Sequence, residues 1–232
     1  MAIKAVYLPD PSFENEIVRI GGDEHRHLVV ARAERDEPVE IFDGNGKVWL
    51  ATIVSLGKRE TLAWLKESRR AERDAVDLIL ALALIKTSAF ELALEKAVEI
   101  GVTRIAPFVA SRSNATAAGR HDRWLRIIIE AAKQSRRYYL PALDSPVTFE
   151  EVLSIQAPSK ILFAERGGGP LKSALFGSPV VYAVGPEGGW TDQELVAAKE
   201  HGFALVSLGA GILRAETAAI VGAALIRYEL EF

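Results

Sequence analysis

The chain has 232 residues, 49% of them hydrophobic, four histidines, no cysteine and a formal net charge of −3. That length supports one large or two modest cores, and the charge excludes a globally basic nucleic-acid coat protein, so any RNA binding has to be local. The missing cysteines remove disulfides, thiolate nucleophiles and cysteine-ligated zinc. No acidic partner stands at ligand spacing from His25 or His27, so no metal is expected. No apolar run is long enough to cross a bilayer, and Met1-Ala2-Ile3-Lys4 opens neither a signal nor a transit peptide. A cytoplasmic protein with no membrane partner is expected.

Residues 1–72 read as a small β domain. Glu40–Asp43 and Val48–Val54 flank Gly44-Asn45-Gly46-Lys47, and a short Gly/Asn connection between β-prone runs is a hairpin signal. A third run, Thr61–Leu65, follows at a spacing that favours a small barrel. His25 and His27 alternate in a way that suits a strand or turn. The charged stretch Ser68–Asp74 separates this part from the rest, and the domain boundary is placed there, giving a second domain over 73–232.

The second domain opens with Asp77–Ile85, a nearly continuous apolar run of strand length that suggests a central strand of a parallel sheet. Ser88-Ala89-Phe90-Glu91 carries a capping-box pattern for a helix ending at Gly101. Arg104–Val109 reads as a strand, Asp122–Ser135 as a helix, and Lys160–Glu165 as another strand. This alternation specifies an α/β domain with a mostly parallel sheet. Arg136-Arg137-Tyr138-Tyr139 joins cations to flat rings, a pairing suited to phosphates and unstacked bases. Arg166-Gly167-Gly168-Gly169-Pro170 reads as a flexible loop.

Two strands near the C-terminus empty into glycine-rich loops. Val180–Val184 leads into Gly185-Pro186-Glu187-Gly188-Gly189-Trp190-Thr191-Asp192, and Ala204–Leu208 leads into Gly209-Ala210-Gly211-Ile212-Leu213-Arg214-Ala215-Glu216-Thr217-Ala218. Thr191 with Glu194 makes a capping box that fixes where the next helix begins. Glycine lets backbone approach a ligand, and the first turn of a following helix presents unpaired N–H groups. Neither loop fits the Walker or dinucleotide pattern. Both loops are either plain turns or the two sides of one ligand site. The last helix, Arg214–Leu230, has almost no polar face in its middle, so it reads as buried on nearly all sides, with a dimer interface favoured over simple core burial.

These two loops, with Lys96-Ala97-Val98-Glu99-Ile100-Gly101-Val102 upstream, resemble the knotted SPOUT methyltransferases, and most of all the branch that methylates N3 of a uridine in small-subunit (16S) ribosomal RNA. The resemblance implies a deep trefoil knot, an N-terminal PUA-like β-barrel that docks RNA, S-adenosyl-L-methionine as methyl donor, a homodimer, and the 30S ribosomal subunit as partner. It assigns the cofactor to Phe163 and Glu165, to Gly185, Pro186, Glu187, Gly188 and Gly189, and to Leu208, Gly209, Ile212, Leu213, Thr217 and Ala218. Arg214 would hold a deprotonated uridine or a phosphate, since it stays protonated and cannot act as a base. Glu216 would accept a proton or orient Arg214. Arg26 and Arg32, in the stretch Gly22–Arg32 that is similar to the opening of the family's N-terminal domain, are RNA contacts under the same resemblance, with Lys86, Arg136 and Arg137. One departure stands out: where the family has Gly-Pro-Arg, this chain has Gly209-Ala210-Gly211, so an expected cation is missing. Two alternatives stay open: a non-catalytic knotted RNA-binding factor, and a knotted methyltransferase acting on transfer RNA or a ribose 2′-hydroxyl.

Overall fold

The structure is a computed structural model, and it describes residues 3–113 and 119–231; Met1 and Ala2 of the N-terminal stretch read above lie outside the described residues. The chain divides into two compact units. One holds the chain up to Arg73 together with Ala132–Leu140, and the other holds Asp74–Ala131 and the chain from Pro141 onward.

The first unit contains β1 (Lys4–Tyr7), β2 (Phe13–Glu14), β3 (Ile17–Gly21), α1 (Gly22–Val30), β4 (Pro38–Phe42), β5 (Lys47–Leu56) and β6 (Glu60–Arg70), with sheet order β1-β4-β5-β6-β3-β2. Among the described residues β1 and β4 run parallel and the other pairs are antiparallel. The hairpin between β4 and β5 turns on Asp43, whose carboxylate accepts the N–H groups of Asn45 (2.7 Å) and Lys47 (3.0 Å), the local bonding that makes aspartate a turn former. Alternate residues Val39, Ile41, Ala51, Ile53 and Ala63 point into one buried cluster.

One reading of this region is corrected. His25 and His27 lie on the helix α1, not on a strand or turn; His25 and Leu28, three apart, face inward together, and a nine-residue helix is too short for that spacing to show in the sequence. The buried His25 Nδ1 shares a hydrogen bond with the hydroxyl of Thr61 (2.9 Å). The charged stretch after Ser68 begins as strand, because Ser68, Arg69 and Arg70 pair with Trp49, Val48 and Lys47, and ladder bonds there outweigh the charge pattern.

Ala132–Leu140 joins this unit. Gly46 N–H donates to Tyr138 O and Leu140 N–H to Gly44 O, both at 2.9 Å, so residues 138–140 run along the hairpin turn. The nearly buried Lys133 pairs with Glu24 at 3.1 Å.

The second unit contains β7 (Leu78–Ala83), α2 (Thr87–Ile100), β8 (Arg104–Val109), most of α3 (His121–Ser135), β9 (Ala142–Leu143), β10 (Val147–Thr148), α4 (Phe149–Leu153), β11 (Ser159–Phe163), β12 (Val180–Val184), α5 (Asp192–Glu200), β13 (Ala204–Val206) and α6 (Ala215–Glu231). Every strand pairing is parallel, in the order β10-β8-β7-β12-β11-β13 with β9 also on β8. All of β7 and β12 is buried, as a parallel sheet covered on both faces requires. Ile79, Ala81, Ala83, Val181 and Ala183 pack with α4 and α5; α6 packs on β7, β12 and α2. Among the described residues no helix is long and apolar enough to cross a membrane.

Two further expectations change, at the start of α2 and in the loop after β11. The helix α2 starts at Thr87 with Lys86 as its cap and no side-chain cap bond, so the pattern at Ser88–Glu91 is not used; the Thr87 hydroxyl instead accepts from Arg120 (2.6 Å). Its end at Gly101, in the left-handed conformation (φ 101°), is as read. Within this one chain the helix α6 is buried on one side, with Ala218, Ala219, Gly222, Ala223 and Ile226 facing inward, while Leu225 and Tyr228 are 41% and 64% exposed. And the loop after β11 is tied down, with Gly169 N–H donating to Leu205 O (2.9 Å) and Ser207 N–H to Gly169 O (3.1 Å).

A buried ion whose partner is removed is costly. Lys133→Ala is therefore expected to destabilise the protein by about 3 kcal/mol, read as a lower midpoint in urea unfolding with unchanged slope.

Candidate active site

Three loops leave the carboxyl ends of adjacent parallel strands: Ala164-Glu165 after β11, Gly185–Trp190 after β12 and Ser207–Arg214 after β13. They close around one cleft of about 230 Å³, whose lining adds Phe163, Val184, Ala215 and Ala218. This is where open α/β sheets hold ligands, because strand ends there present loops and helix starts together. Its walls are mostly backbone and apolar side chains. Ile212 lines the cleft yet is 72% exposed, an apolar surface that a flat ligand would cover.

Two glycines are required by position. Gly209 has φ 125°, a conformation closed to other residues, and its missing side chain leaves open space. Gly185 carries the indole of Trp190 on its face, and a Cβ there would lie 2.8 Å from the ring. Trp190 in turn donates its indole N–H to Phe163 O (2.9 Å) and stacks parallel to Phe108 at 6.0 Å. The tryptophan thus ties the loop after β12 to the end of β11.

The expected capping box is present: Thr191 Oγ1 accepts from Glu194 N–H, and Glu194 Oε2 accepts from Thr191 N–H (2.8 Å). Glu194 also accepts the N–H of Ser111 at 2.9 Å. Burial opposes its ionisation, but the N–H groups of Thr191 and Ser111 outweigh that and hold its carboxyl below the usual glutamate range. Arg112, from the turn after β8, donates through Nη1 to Gly188 O (2.9 Å) and Trp190 O (3.3 Å). No sequence signal pointed to Arg112, which lies 76 residues from Gly188.

Of the residues assigned to the cofactor by resemblance, Phe163, Glu165, Gly185, Pro186, Glu187, Gly189, Leu208, Gly209, Ile212, Leu213 and Ala218 line the cleft; Gly188 and Thr217 do not. A Cβ on Gly188 would meet Arg112 at 3.1 Å, so a side chain there would push on that arginine and not into the cleft. The lining also includes Trp190, Ser207 and Gly211, which were not among the assigned residues. Arg214 sits at the lip with its side chain 85% exposed, 4.0 Å from the mostly covered Glu216. Ala210 and Gly211, in place of the family's Pro-Arg, are exposed.

The RNA candidates fall in different settings. Arg26 is exposed and paired with Asp23, and Arg32 is exposed with φ 51°. Lys86 is exposed at the head of α2, its N–H directed to Glu187 Oε1 (3.4 Å). Arg136 is bound to Glu40 and to Ile3 O. Tyr138 donates to Glu40 (2.7 Å) under the guanidinium of Arg69, and Tyr139 sits below that of Arg73. The rings read as stacking surfaces therefore already carry cations from their own unit, and Arg137 is half-buried with partners.

A family model described as an RNA methyltransferase domain matches residues 72–227. A curated relative from Synechocystis, named ribosomal RNA small subunit methyltransferase E, is 34% identical over 100% of this chain and 79% of its own length. Its namesake from Rickettsia conorii is 31% identical over 98% and 96%. The crystal structure of a ribosomal RNA small subunit methyltransferase E from Neisseria gonorrhoeae bound to S-adenosyl methionine superposes with a TM-score of 0.91 at 30% identity, covering 99% of this chain and 98% of the other.

Because Glu194 titrates lower when folded, the unfolded chain binds more protons in acid. Its contribution is full above the ordinary glutamate range and fades as pH falls through the folded value. Glu194→Gln should lower stability at pH 7 by about 1 kcal/mol, and that difference should shrink in acid. Thermal unfolding of both proteins across pH 3–7 (roughly the span over which carboxylates titrate) checks it.

Proposed function

The chain belongs to the family of ribosomal RNA small subunit methyltransferase E, and from that premise we propose that it methylates N3 of one uridine in 16S ribosomal RNA of the small subunit, in the cytoplasm. The observation that carries the reading is the cleft at the strand ends, lined from three loops by most, though not Gly188 or Thr217, of the residues that the family resemblance assigns to the methyl donor. The cleft suits S-adenosylmethionine: backbone groups and apolar faces from Leu208, Gly209 and Leu213 match an adenosine, and Glu165 and Glu187 at its rim are compatible with a cation. When bound, that cofactor supplies an electrophilic methyl group.

The chain's own residues then have distinct tasks. N3 of uridine lies on the Watson–Crick edge, so the base has to be unpaired or extruded before it can enter. Arg214, exposed at the lip, holds the base as its imide proton leaves, since a guanidinium stabilises the developing anion. Glu216, mostly covered and only 4.0 Å away, orients that fork or receives the proton. Arg26, Arg32 and Lys86, exposed in the structure, supply backbone contacts to RNA. The outward strip of α6, with Leu225 and Tyr228 exposed, supports a homodimer, and the trefoil knot belongs to the same reading.

Mass spectrometry of ribosomal RNA from a deletion strain tests the substrate: an unchanged uridine methylation profile overturns it, and cofactor binding without transfer to small subunits favours a non-catalytic RNA-binding role. Arg214→Ala should lower methyl transfer by about 10²–10³-fold while affinity for S-adenosylmethionine stays within about tenfold. Equal loss of both, in single-turnover assays and calorimetry, contradicts the role.

A further inference from the structure

We propose that Arg112 is a positioning residue, a clasp that fixes the glycine loop after β12 from the side opposite the cleft. The inference rests on the reading that this cleft holds S-adenosylmethionine.

The loop Gly185–Trp190 has little side-chain mass with which to fix itself. Its inner face is set by Trp190, as described. Its outer face is set by two peptide planes, each held at both ends. The plane joining Gly188 to Gly189 has its carbonyl on Arg112 Nη1 (2.9 Å) and its N–H on Pro186 O (2.9 Å). The plane joining Trp190 to Thr191 has its carbonyl on the same Nη1 (3.3 Å) and its N–H on Glu194 Oε2 (2.8 Å). A planar peptide bonded on both edges cannot rotate without breaking one bond. The stem of Arg112 also stands close against the place of a Gly188 side chain, with a Cβ there 3.1 Å from it.

The clasp is itself rigidly mounted. Arg112 rides on the turn Ala110–Ser113, which closes on itself: Ser113 N–H donates to Ala110 O (3.0 Å) and Ala110 N–H to Ser113 Oγ (3.1 Å). The neighbouring Ser111 N–H is held by Glu194 (2.9 Å), the carboxylate that also caps α5. One carboxylate and one guanidinium thus lock the turn after β8 to the loop after β12. Charge-assisted bonds of this kind are stronger than neutral ones.

Hydrogen exchange on the ligand-free protein tests the clasp without reference to any cofactor. Arg112→Ala should speed exchange of the Gly189 and Thr191 amides by about tenfold, with α2 unchanged. Arg112→Lys, whose single ammonium can reach one carbonyl, should fall between. Calorimetry should show about tenfold weaker binding of S-adenosylmethionine and S-adenosylhomocysteine to the alanine variant, with kcat at saturating cofactor within about twofold and KM for RNA unchanged. Unaltered exchange at Gly189 and Thr191 in Arg112→Ala overturns the proposal. So does a fall in kcat at unchanged cofactor affinity, which places Arg112 on the RNA or the reacting atoms. Faster exchange in a protein whose wild type fails to bind S-adenosylmethionine upholds the clasp and removes the cofactor reading instead.

Discussion

A site walled by glycine, backbone and apolar side chains has few polar side chains of its own with which to hold its shape, and the second unit is built around that constraint. Its parallel strands deliver three loops to one end of the sheet, but delivery alone leaves the loops free to move. They are fixed by bonds that cross from one segment to another: Trp190 bonded to Phe163 O, Arg112 bonded to Gly188 O and Trp190 O, and Glu194 bonded to both Thr191 and Ser111. Each of these replaces a hydrogen bond that the loop backbone would otherwise make to water, so the loops are ordered without filling the cleft.

The arginines divide by what surrounds them. Arg227, only 7% exposed, bonds the carbonyl of Gly101 at the end of α2 and pairs with Asp74, which fastens α6 to α2. Arg136 serves Glu40 in the first unit, and Arg112 serves the glycine loop. Arg214 differs: it reaches into solvent at the lip of the cleft with only a loose ion pair to Glu216, and an exposed pair at that distance restrains it little. A cation that the fold does not consume, next to a cleft, is the group best able to meet an incoming substrate.

The same division shows where Arg136-Arg137-Tyr138-Tyr139 finds partners within its own unit. Cations beside rings suit RNA, but they equally suit a segment docking on a β-hairpin, where Glu40, Arg69 and Arg73 are waiting. Those partners are roughly 65–100 residues away along the chain, a separation no local pattern registers. The unused capping pattern at Ser88 has a similar cause, since the helix is capped at Lys86, two positions earlier, and Arg120, just ahead of α3, takes the hydroxyl of Thr87.

By itself the sequence determined the elements whose signals are local. The apolar run at Asp77–Ile85, the hairpin at Gly44–Lys47, the stop at Gly101, the capping box at Thr191 and the two glycine loops follow from side-chain period, backbone freedom and capping chemistry, all within a few residues. The motif resemblance led to the family and to most of the cleft lining. Tertiary structure decided what depends on partners distant in sequence: that β6 continues through Arg70, that Gly188 faces Arg112 and not the cleft, that α6 keeps an uncovered strip, and that Arg112 braces the loop at all. Those outcomes are set by which groups packing brings within bonding distance, and composition and period carry no record of that.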